Sequence, residues 1–181
     1  MSNATISNFI TAFNQGGGAR ANRYQIQFVQ APIQFSGLLK DKFVVACKAA
    51  SIPQSEVGIT EVHYMGRTIK LPGDRVFNDW TITVLNDTAF DLRGYFDQWS
   101  NYILGMNTNT EGYETFTSGF GTAEVLQYDR NDNITATYTV EKIWPTTVGE
   151  ISLSYDQDNT IEEFQVTFAI NEWSSTTIKT A

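Results

Sequence analysis

The 181-residue chain contains a single cysteine, a single histidine and only four prolines. One cysteine excludes an intramolecular disulfide, and Cys47 alternates with Phe43 and Val45 as a small buried apolar side chain would. His63 has no nucleophile motif beside it, so a histidine-based catalytic centre is not indicated. These scarcities favour a non-enzymatic protein that folds in a reducing compartment.

Basic residues are also few, with 12 Lys and Arg against 20 Asp and Glu, which gives a formal net charge of −8. The basic residues are scattered along the chain and form no run. A protein that binds nucleic acid tightly would instead neutralise phosphates with clustered Lys and Arg. Tight nucleic-acid binding is therefore disfavoured, whereas proximity to nucleic acid without binding remains compatible with this charge.

Long hydrophobic runs are missing as well, and no segment approaches the length of a bilayer span. The first five residues lack the basic and apolar regions of a signal peptide. Hydrophobic residues make up 41% of the chain and charged ones 18%, a composition typical of a globular protein. We therefore expect one domain with a substantial core and no membrane anchor.

No metal or cofactor site is indicated by the acidic residues. Asp129 with Asp132, and Asp156 with Asp158, supply fewer oxygen ligands than a Ca²⁺ ion requires. Asp and Asn are common in turns, where their side chains bond to the backbone, and turn formation explains both pairs better. We expect no cofactor, no metal and no catalytic residue.

The clearest pattern is a strand that leads directly into a helix, between Leu71 and Ile103. The Pro72–Arg75 cluster predicts a turn before it, and alternation of apolar residues with Thr81 and Thr83 predicts the strand. Apolar residues then follow at helical spacing, with Asp87 or Thr88 able to accept from the first amides of the helix. The predicted core residues are Trp80, Ile82, Val84, Leu92, Phe96 and Trp99.

The remainder of the chain divides into an arm, a β domain and a tail. Residues 1–22 form the arm, in which apolar Phe9 and Phe13 precede a hinge of glycines ending at Gly18. This arm docks either on another subunit or on its own domain, and the pattern does not choose between them. Residues 23–173 form the domain, and residues 174–181 form a loose tail.

About eight strands and one flanking α-helix are predicted, which indicates a mainly β fold of sandwich or barrel type. Pairing is expected to break at Pro145, and residues 105–121 are expected to form a surface loop. The other strands and bends are predicted at Arg23–Gln30, Phe43–Ala49, Glu56–Leu71 with a bend at Met65–Arg67, Thr122–Tyr128, Ile134–Val140, Ile151–Tyr155 and Phe164–Ile170.

A flat polar face is predicted on the strand that follows Asn133. Thr135, Thr137, Thr139 and Glu141 alternate with apolar residues, and the Gln25–Gln27 segment has the same uncharged character. Such a face is either an ordinary solvated surface or the wall of a water-filled channel whose mild acidity repels a polyanion.

Three groups of residues carry a family resemblance. In order and spacing, from about Phe9 to Trp173, the sequence resembles the tail tube proteins of T-even-like contractile-tailed bacteriophages. The groups are Gly73-Asp74-Arg75 with Phe77, Asp79-Trp80-Thr81, Thr83-Val84 and Asn86-Asp87; Trp144-Pro145-Thr146 with Val148-Gly149-Glu150; and Phe164, Val166-Thr167, Ala169 and Trp173.

The resemblance implies a structural protein of the virion that assembles in the cytoplasm of the host bacterium. Such proteins form hexameric rings that stack into a tube, and strands of six subunits close into one inner β-barrel whose lumen passes the genome. The implied partners are further copies of the chain, a sheath protein outside, baseplate and tail-terminator proteins at the ends, and tape measure protein and DNA in the lumen without tight binding.

The resemblance also implies roles for particular residues. The Phe43–Leu71 and Thr122–Glu141 hairpins are candidates for the inner barrel, which would place Thr135, Thr137, Thr139 and Glu141 on the lumen. Asp74 and Arg75 would mark a turn specific to the family. The candidate contacts between rings are Phe9, Phe13, Met65, Gly66 and Arg67.

Two alternatives remain open from the sequence. The same fold recurs in tubes of bacteriocins and of type VI-like contractile injection systems, which differ mainly in the proteins around them. A β-sandwich glycan-binding module, from another class, would share the aromatic strands and bind sugar through Tyr113 and Phe116 or Phe120.

Overall fold

The computed structural model describes residues 6–13, 18–33, 37–106, 111–112, 116–156 and 158–177. The described part is mainly β, as predicted, with nine strands rather than about eight. The helices are α1 (Ile6–Phe13), α2 (Gly37–Ala46) and α3 (Asp91–Ile103), and the strands are β1 (Tyr24–Gln30), β2 (Cys47–Ala50), β3 (Ser55–Tyr64), β4 (Arg67–Phe77), β5 (Trp80–Leu85), β6 (Gly121–Tyr128), β7 (Ile134–Val148), β8 (Glu163–Ala169) and β9 (Glu172–Ser175).

Seven of the strands form one antiparallel sheet in the order β1-β6-β7-β8-β5-β2, with β9 also paired to β7. The sheet curls on itself, because Phe28 of β1 lies 5.9 Å, centroid to centroid, from Phe168 of β8. The two ends of the path also meet, since the Tyr24 hydroxyl of β1 donates to the Lys48 carbonyl of β2 at 2.6 Å. The remaining strands, β3 and β4, form a separate two-stranded sheet.

The core is a cluster of aromatic rings around Phe28. Its ring centroid lies 4.8 Å from Phe43, 6.1 Å from Phe96 and 5.6 Å from Trp99. Tilted and edge-to-face rings at these distances attract one another beyond the area that they bury. The six core residues named from the strand and helix patterns all lie inside: Trp80, Ile82, Val84, Leu92, Phe96 and Trp99.

The expectation of a strand at Phe43–Ala49 is wrong for its first half, because Phe43–Ala46 ends helix α2. The Phe43 ring is fully buried against Phe28 and Phe96, and Lys42 pairs with Asp87 and Asp91 at 3.2 and 2.8 Å. Tertiary contacts of this kind override a local strand preference. The described chain therefore has three α-helices, not one flanking helix, and no hairpin spans Phe43–Leu71.

The turn expected at Pro72–Arg75 is also wrong, since these residues lie inside strand β4. Val57 pairs with Arg75 but Ile59 pairs with Pro72, so the intervening residue of β3 opposes two residues of β4. This is a β-bulge, and a Cβ added to Gly73 would lie only 3.1 Å from the backbone of β3. Asp74 thus belongs to a bulge that bends the hairpin without ending the strand.

Strand β7 continues through Pro145, where the sequence predicted a break. The part of β7 before this residue pairs with β6 and β9, and the part from Trp144 onward pairs with β8. Its pairing is irregular between Pro145 and Thr147, and proline is tolerated in a sheet at such bulges. The strand expected at Ile151–Tyr155 does not form.

Two further expectations concern the start of α3 and the end of the domain. The Asp87 carboxylate accepts from the Leu92 amide at 3.4 Å, so Asp87 stabilises the first turn as predicted. Strand β9 extends to Ser175, which pairs with Tyr138 of β7. The loose tail expected from residue 174 therefore starts later.

The contact between Gly121 and Trp99 gives a test of the core. A Cβ at Gly121 would lie 2.6 and 2.8 Å from two carbons of the buried Trp99 ring. We expect Gly121→Ala to lower the free energy of unfolding by about 1–3 kcal/mol, because the ring cannot move without disturbing its aromatic neighbours. Gly94→Ala is the matched control, since its added Cβ meets nothing within 4 Å and alanine favours the helix. Equal thermal unfolding of the two variants would contradict the prediction.

Candidate assembly surfaces

The two polar segments noted in the sequence lie on one continuous face of the sheet. Gln27 of β1 pairs with Glu124 of β6, which pairs with Thr139 of β7, which pairs with Ser174 of β9. Directly paired residues point to the same side of a sheet, so these four side chains form one row across four strands. The row is hydrogen-bonded at one end, where the Gln27 amide donates to the Glu124 carboxylate at 2.8 Å.

The side chains of this polar face are mainly amides and hydroxyls, with carboxylates among them. The next row contains Gln25, Leu126 and Thr137, of which Leu126 is the apolar exception. Farther along, Glu141 of β7 pairs with Glu172 of β9. The opposite side of the same strands is buried in the core. The face is therefore backed by the core, and some of its polar side chains also join neighbouring strands, as Gln27 and Glu124 do between β1 and β6.

The β3–β4 hairpin extends away from the seven-stranded sheet. Met65 and Gly66 both have positive φ, 47° and 74°, as a two-residue hairpin turn of type I′ requires. Arg67 is the first residue of β4, so the predicted bend is one residue shorter than expected. Met65 at the tip is 86% exposed.

Toward its tip the hairpin has one mainly apolar face, which also contains Arg67 opposite Tyr64, and one polar face. Val62 pairs with Ile69, and their side chains share a side with Tyr64 and Leu71. These apolar side chains keep between 43% and 62% of their surface exposed. On the other side, His63 contacts the Thr68 hydroxyl at 3.0 Å, and Glu61 lies 3.9 Å from Lys70.

An exposed apolar strand face of this kind marks a surface that is covered in an assembly. In the described residues, strands β3 and β4 pair only with each other. The hairpin is therefore a candidate contact with a further copy of the chain.

Helix α1 is a second exposed apolar element. Ile6 and Ile10 lie one helical turn apart and are 80% and 56% exposed. The side chains of Phe9 and Phe13, which the sequence singled out, lie outside the described residues. Helix α1 therefore presents at least one apolar edge to solvent.

Cys47 and Asp129 have structural surroundings rather than catalytic ones. Burial raises the pKa of the Cys47 thiol to about 12, so the thiol stays protonated at neutral pH and is a poor nucleophile. Asp129 accepts from the Asn133 side chain and amide at 3.0 and 2.9 Å and from the Asn131 amide at 2.7 Å. These bonds, those from Asn133 first, hold the pKa of Asp129 below its usual value.

The described residues contain neither a metal-binding cluster nor a helix that could span a membrane. No three of their His, Cys, Asp or Glu side chains lie together as a metal site would require. None of their helices has both the length and the apolar character to cross a membrane.

Sequence comparison finds relatives over almost the whole chain. Residues 19–176 match the model of the family described as phage tail tube protein. The tail tube protein gp19 of Enterobacteria phage T4 is 34% identical over 169 residues, which cover 93% of this chain and 98% of that protein.

Solved structures of lower sequence identity share the fold. A chain of the anti-feeding prophage baseplate aligns with a TM-score of 0.65 at 12% identity, covering 87% of this chain and 95% of that one. A chain of the sheath–tube complex of an extracellular contractile injection system aligns with a TM-score of 0.58 at 15% identity, covering 96% and 98%.

Paired substitutions on the two faces of the hairpin should differ in their effect on self-association. Val62→Ser with Ile69→Ser removes apolar contact area from the exposed face, so we expect self-association to weaken at least tenfold while the monomer unfolds at an unchanged temperature. His63→Ser with Thr68→Ser, directly beside it on the polar face, is the matched control and should associate like the wild type. Sedimentation and thermal unfolding measure the two properties. Full association of the apolar-face variant would argue against this surface.

Proposed function

The chain belongs to the phage tail tube protein family, and on this basis we propose that it forms hexameric rings that stack into a hollow tube for the genome. It is a structural, tube-forming component of a contractile phage tail. The observation that carries the assembly proposal is the β3–β4 hairpin, whose apolar side chains stay about half exposed and whose strands pair only with each other among the described residues. A second copy of the chain covers these side chains.

The inner wall of the tube is built, in this proposal, from β3–β4 and from β6–β7. The first of these replaces the Phe43–Leu71 hairpin suggested by the sequence. The polar face of β7 then turns to the lumen with Thr135, Thr137, Thr139 and Glu141. Hydroxyl and acidic groups leave phosphates unneutralised, so DNA passes along the wall without binding tightly.

Contacts between successive rings involve the two exposed apolar elements. We place the hairpin tip, Met65, Gly66 and Arg67, against the adjacent ring, and the arm with Phe9 and Phe13 beside it. The exposure of Met65 at the tip and of Ile6 and Ile10 on α1 supports this placement. Residues 1–22 then act as an assembly arm and residues from 23 to the end of β9 at Ser175 as the tube domain, with a short tail after it.

The proposed partners outside the tube are a sheath protein, a baseplate and a tail terminator, with tape measure protein inside before ejection. Similar chains occur in structures described as a baseplate, a tube-terminating cap and a sheath–tube complex, which supports this set. Tubes would assemble in the host cytoplasm and function in the virion tail without enzymatic activity.

The alternatives fit less well. Chains of the anti-feeding prophage baseplate and of the injection-system sheath–tube complex share the fold at 12–15% identity, whereas the phage T4 protein is 34% identical, which favours a phage tail. For a glycan-binding module, Phe120 is stacked on Trp144 with ring centroids 5.3 Å apart, so one face of its ring is already occupied. Tyr113 and the Phe116 side chain lie outside the described residues.

The lumen assignment is tested by thiol labelling of assembled tubes. Purified protein should form rings or hollow tubes in negative-stain micrographs. A cysteine at Thr135 or Thr137 should then react with a small maleimide but not with a long polyethylene-glycol maleimide, because only the small reagent diffuses along the lumen. The same variants as free subunits should react with both reagents, and native Cys47 stays silent because it is buried. Labelling of tubes by the large reagent would place these residues outside.

The role of the arm is tested by deletion of residues 1–18. The tube domain should fold and unfold as before, because the described contacts of the core begin after this segment. Rings or monomers should accumulate in place of long tubes, since the arm no longer reaches the adjacent ring. Tubes of normal length and yield would show that the arm is dispensable for stacking.

A further inference from the structure

Residues 20–23, the root of the amino-terminal arm, are hydrogen-bonded to the end of β6 and to the turn between β6 and β7. Two backbone carbonyls at the root are held by this region: the Gln127 side-chain amide donates to the Arg20 carbonyl, and the Tyr128 amide donates to the Arg23 carbonyl, both at 3.0 Å. The Arg23 guanidinium donates to the Asp132 carboxylate at 2.6 Å and to the Asp129 carbonyl at 3.3 Å. Side-chain and backbone hydrogen bonds therefore both attach the root to the β6–β7 region.

The turn that receives Arg23 is itself well ordered by hydrogen bonds. The Asp129 carboxylate accepts from the backbone amides of Asn131 and Asn133, and the Asp129 amide donates to the Asn133 carbonyl at 2.9 Å. Asp132 sits in this turn with φ of 62°, which directs its carboxylate at the start of β1. The Asp132 carboxylate therefore lies on a turn that is held by its own hydrogen bonds.

We propose that Arg23 and Asp132 are positioning residues for tube assembly, which fix the direction in which the arm leaves the domain toward a second copy of the chain. The inference rests on the proposed role of the arm in stacking. It adds that the β6–β7 turn, a part of the proposed inner wall, sets where that arm starts.

The physical reason is the glycine hinge that precedes this root. The sequence predicts a hinge at Gly16, Gly17 and Gly18, and a segment on such a hinge reaches its target only from a fixed origin. A fixed origin raises the effective concentration of the arm at its contact on the adjacent ring. Strand β1 begins at Tyr24, directly after Arg23, so the ion pair is the last side-chain contact before the sheet.

Asp132→Asn is the variant that tests the pair. Asparagine tolerates the positive φ at this position, so the turn keeps its shape while the charge is lost. We expect the monomer to unfold at the same temperature and the concentration needed for tube growth to rise about threefold, the effect of one exposed ion pair. Trypsin should also cut after Arg20 faster than in the wild type, because the root is released. Arg23→Gln should raise the same concentration by a similar factor.

Lys48→Gln is the matched control, since it removes one positive charge from the exposed Lys48–Glu163 pair elsewhere on the domain. It should change neither tube growth nor cleavage after Arg20. Wild-type tube growth and cleavage in Asp132→Asn would overturn the positioning role, and so would an equal loss of tube growth in Lys48→Gln.

Deletion of residues 1–18, assayed in parallel, separates this inference from the proposed function. If the deletion leaves tubes normal, the stacking role of the arm is wrong. If the deletion abolishes tubes but Asp132→Asn does not impair them, only the positioning role is wrong. If both impair tubes and only Asp132→Asn increases cleavage after Arg20 in the full chain, relative to Lys48→Gln, both proposals stand.

Discussion

Packing of aromatic rings around Phe28 is the interaction on which the rest of the structure depends. Phe28 on β1 contacts a ring from helix α2, two rings from α3 and Phe168 on β8. Strands β1 and β8 are not neighbours in the sheet, so this cluster draws the sheet into its curl. The apolar side of the sheet packs on this cluster, which leaves the outer face of β1, β6, β7 and β9 mainly polar, with Leu126 as the exception.

The domain buries its core within the subunit, whereas its two extensions, the β3–β4 hairpin and the amino-terminal arm, expose apolar side chains. Trp99 and Trp80 find hydrogen-bond acceptors within the subunit, the Gly119 and Ser51 carbonyls. The β3–β4 hairpin, in contrast, exposes an apolar face that a stable monomer would bury. A subunit with a buried core and exposed apolar extensions suits a tube, because the extensions remain available for contact with other copies.

Both extensions, the hairpin and the arm, are held by close contacts near their bases. The bulge at Gly58 and Gly73 bends the hairpin where a side chain would meet backbone, and the β6–β7 turn holds the root of the arm. Arg93 similarly joins α3 to the segment after β7, since its guanidinium donates to the Gly149 carbonyl and lies over the Phe164 ring. Several residues of the family motifs thus act at junctions between core and surface.

Local pattern by itself determined the elements whose partners lie close in sequence or whose period is strong. The alternation around Trp80, the helical face of Leu92, Phe96 and Trp99, the Met65–Gly66 turn and the polar side of β7 were all predictable, because each follows from side-chain period or from a φ that glycine permits. The order and spacing of the three groups of residues that carry the family resemblance were also sufficient to indicate the family.

Only the tertiary structure decided the rest. Phe43 is helical because its ring packs against Phe28, which is distant in sequence. Asp74 lies in a bulge because the pairing of β3 with β4 shifts register there. Pro145 stays in a strand because β7 changes its pairing partner at this point. Arg23 meets Asp132 across 109 residues of sequence, a separation at which no local pattern reports contact. Contacts between distant segments outweigh local preferences of about a kilocalorie per mole, so the placement of the arm and the hairpin depended on the folded chain.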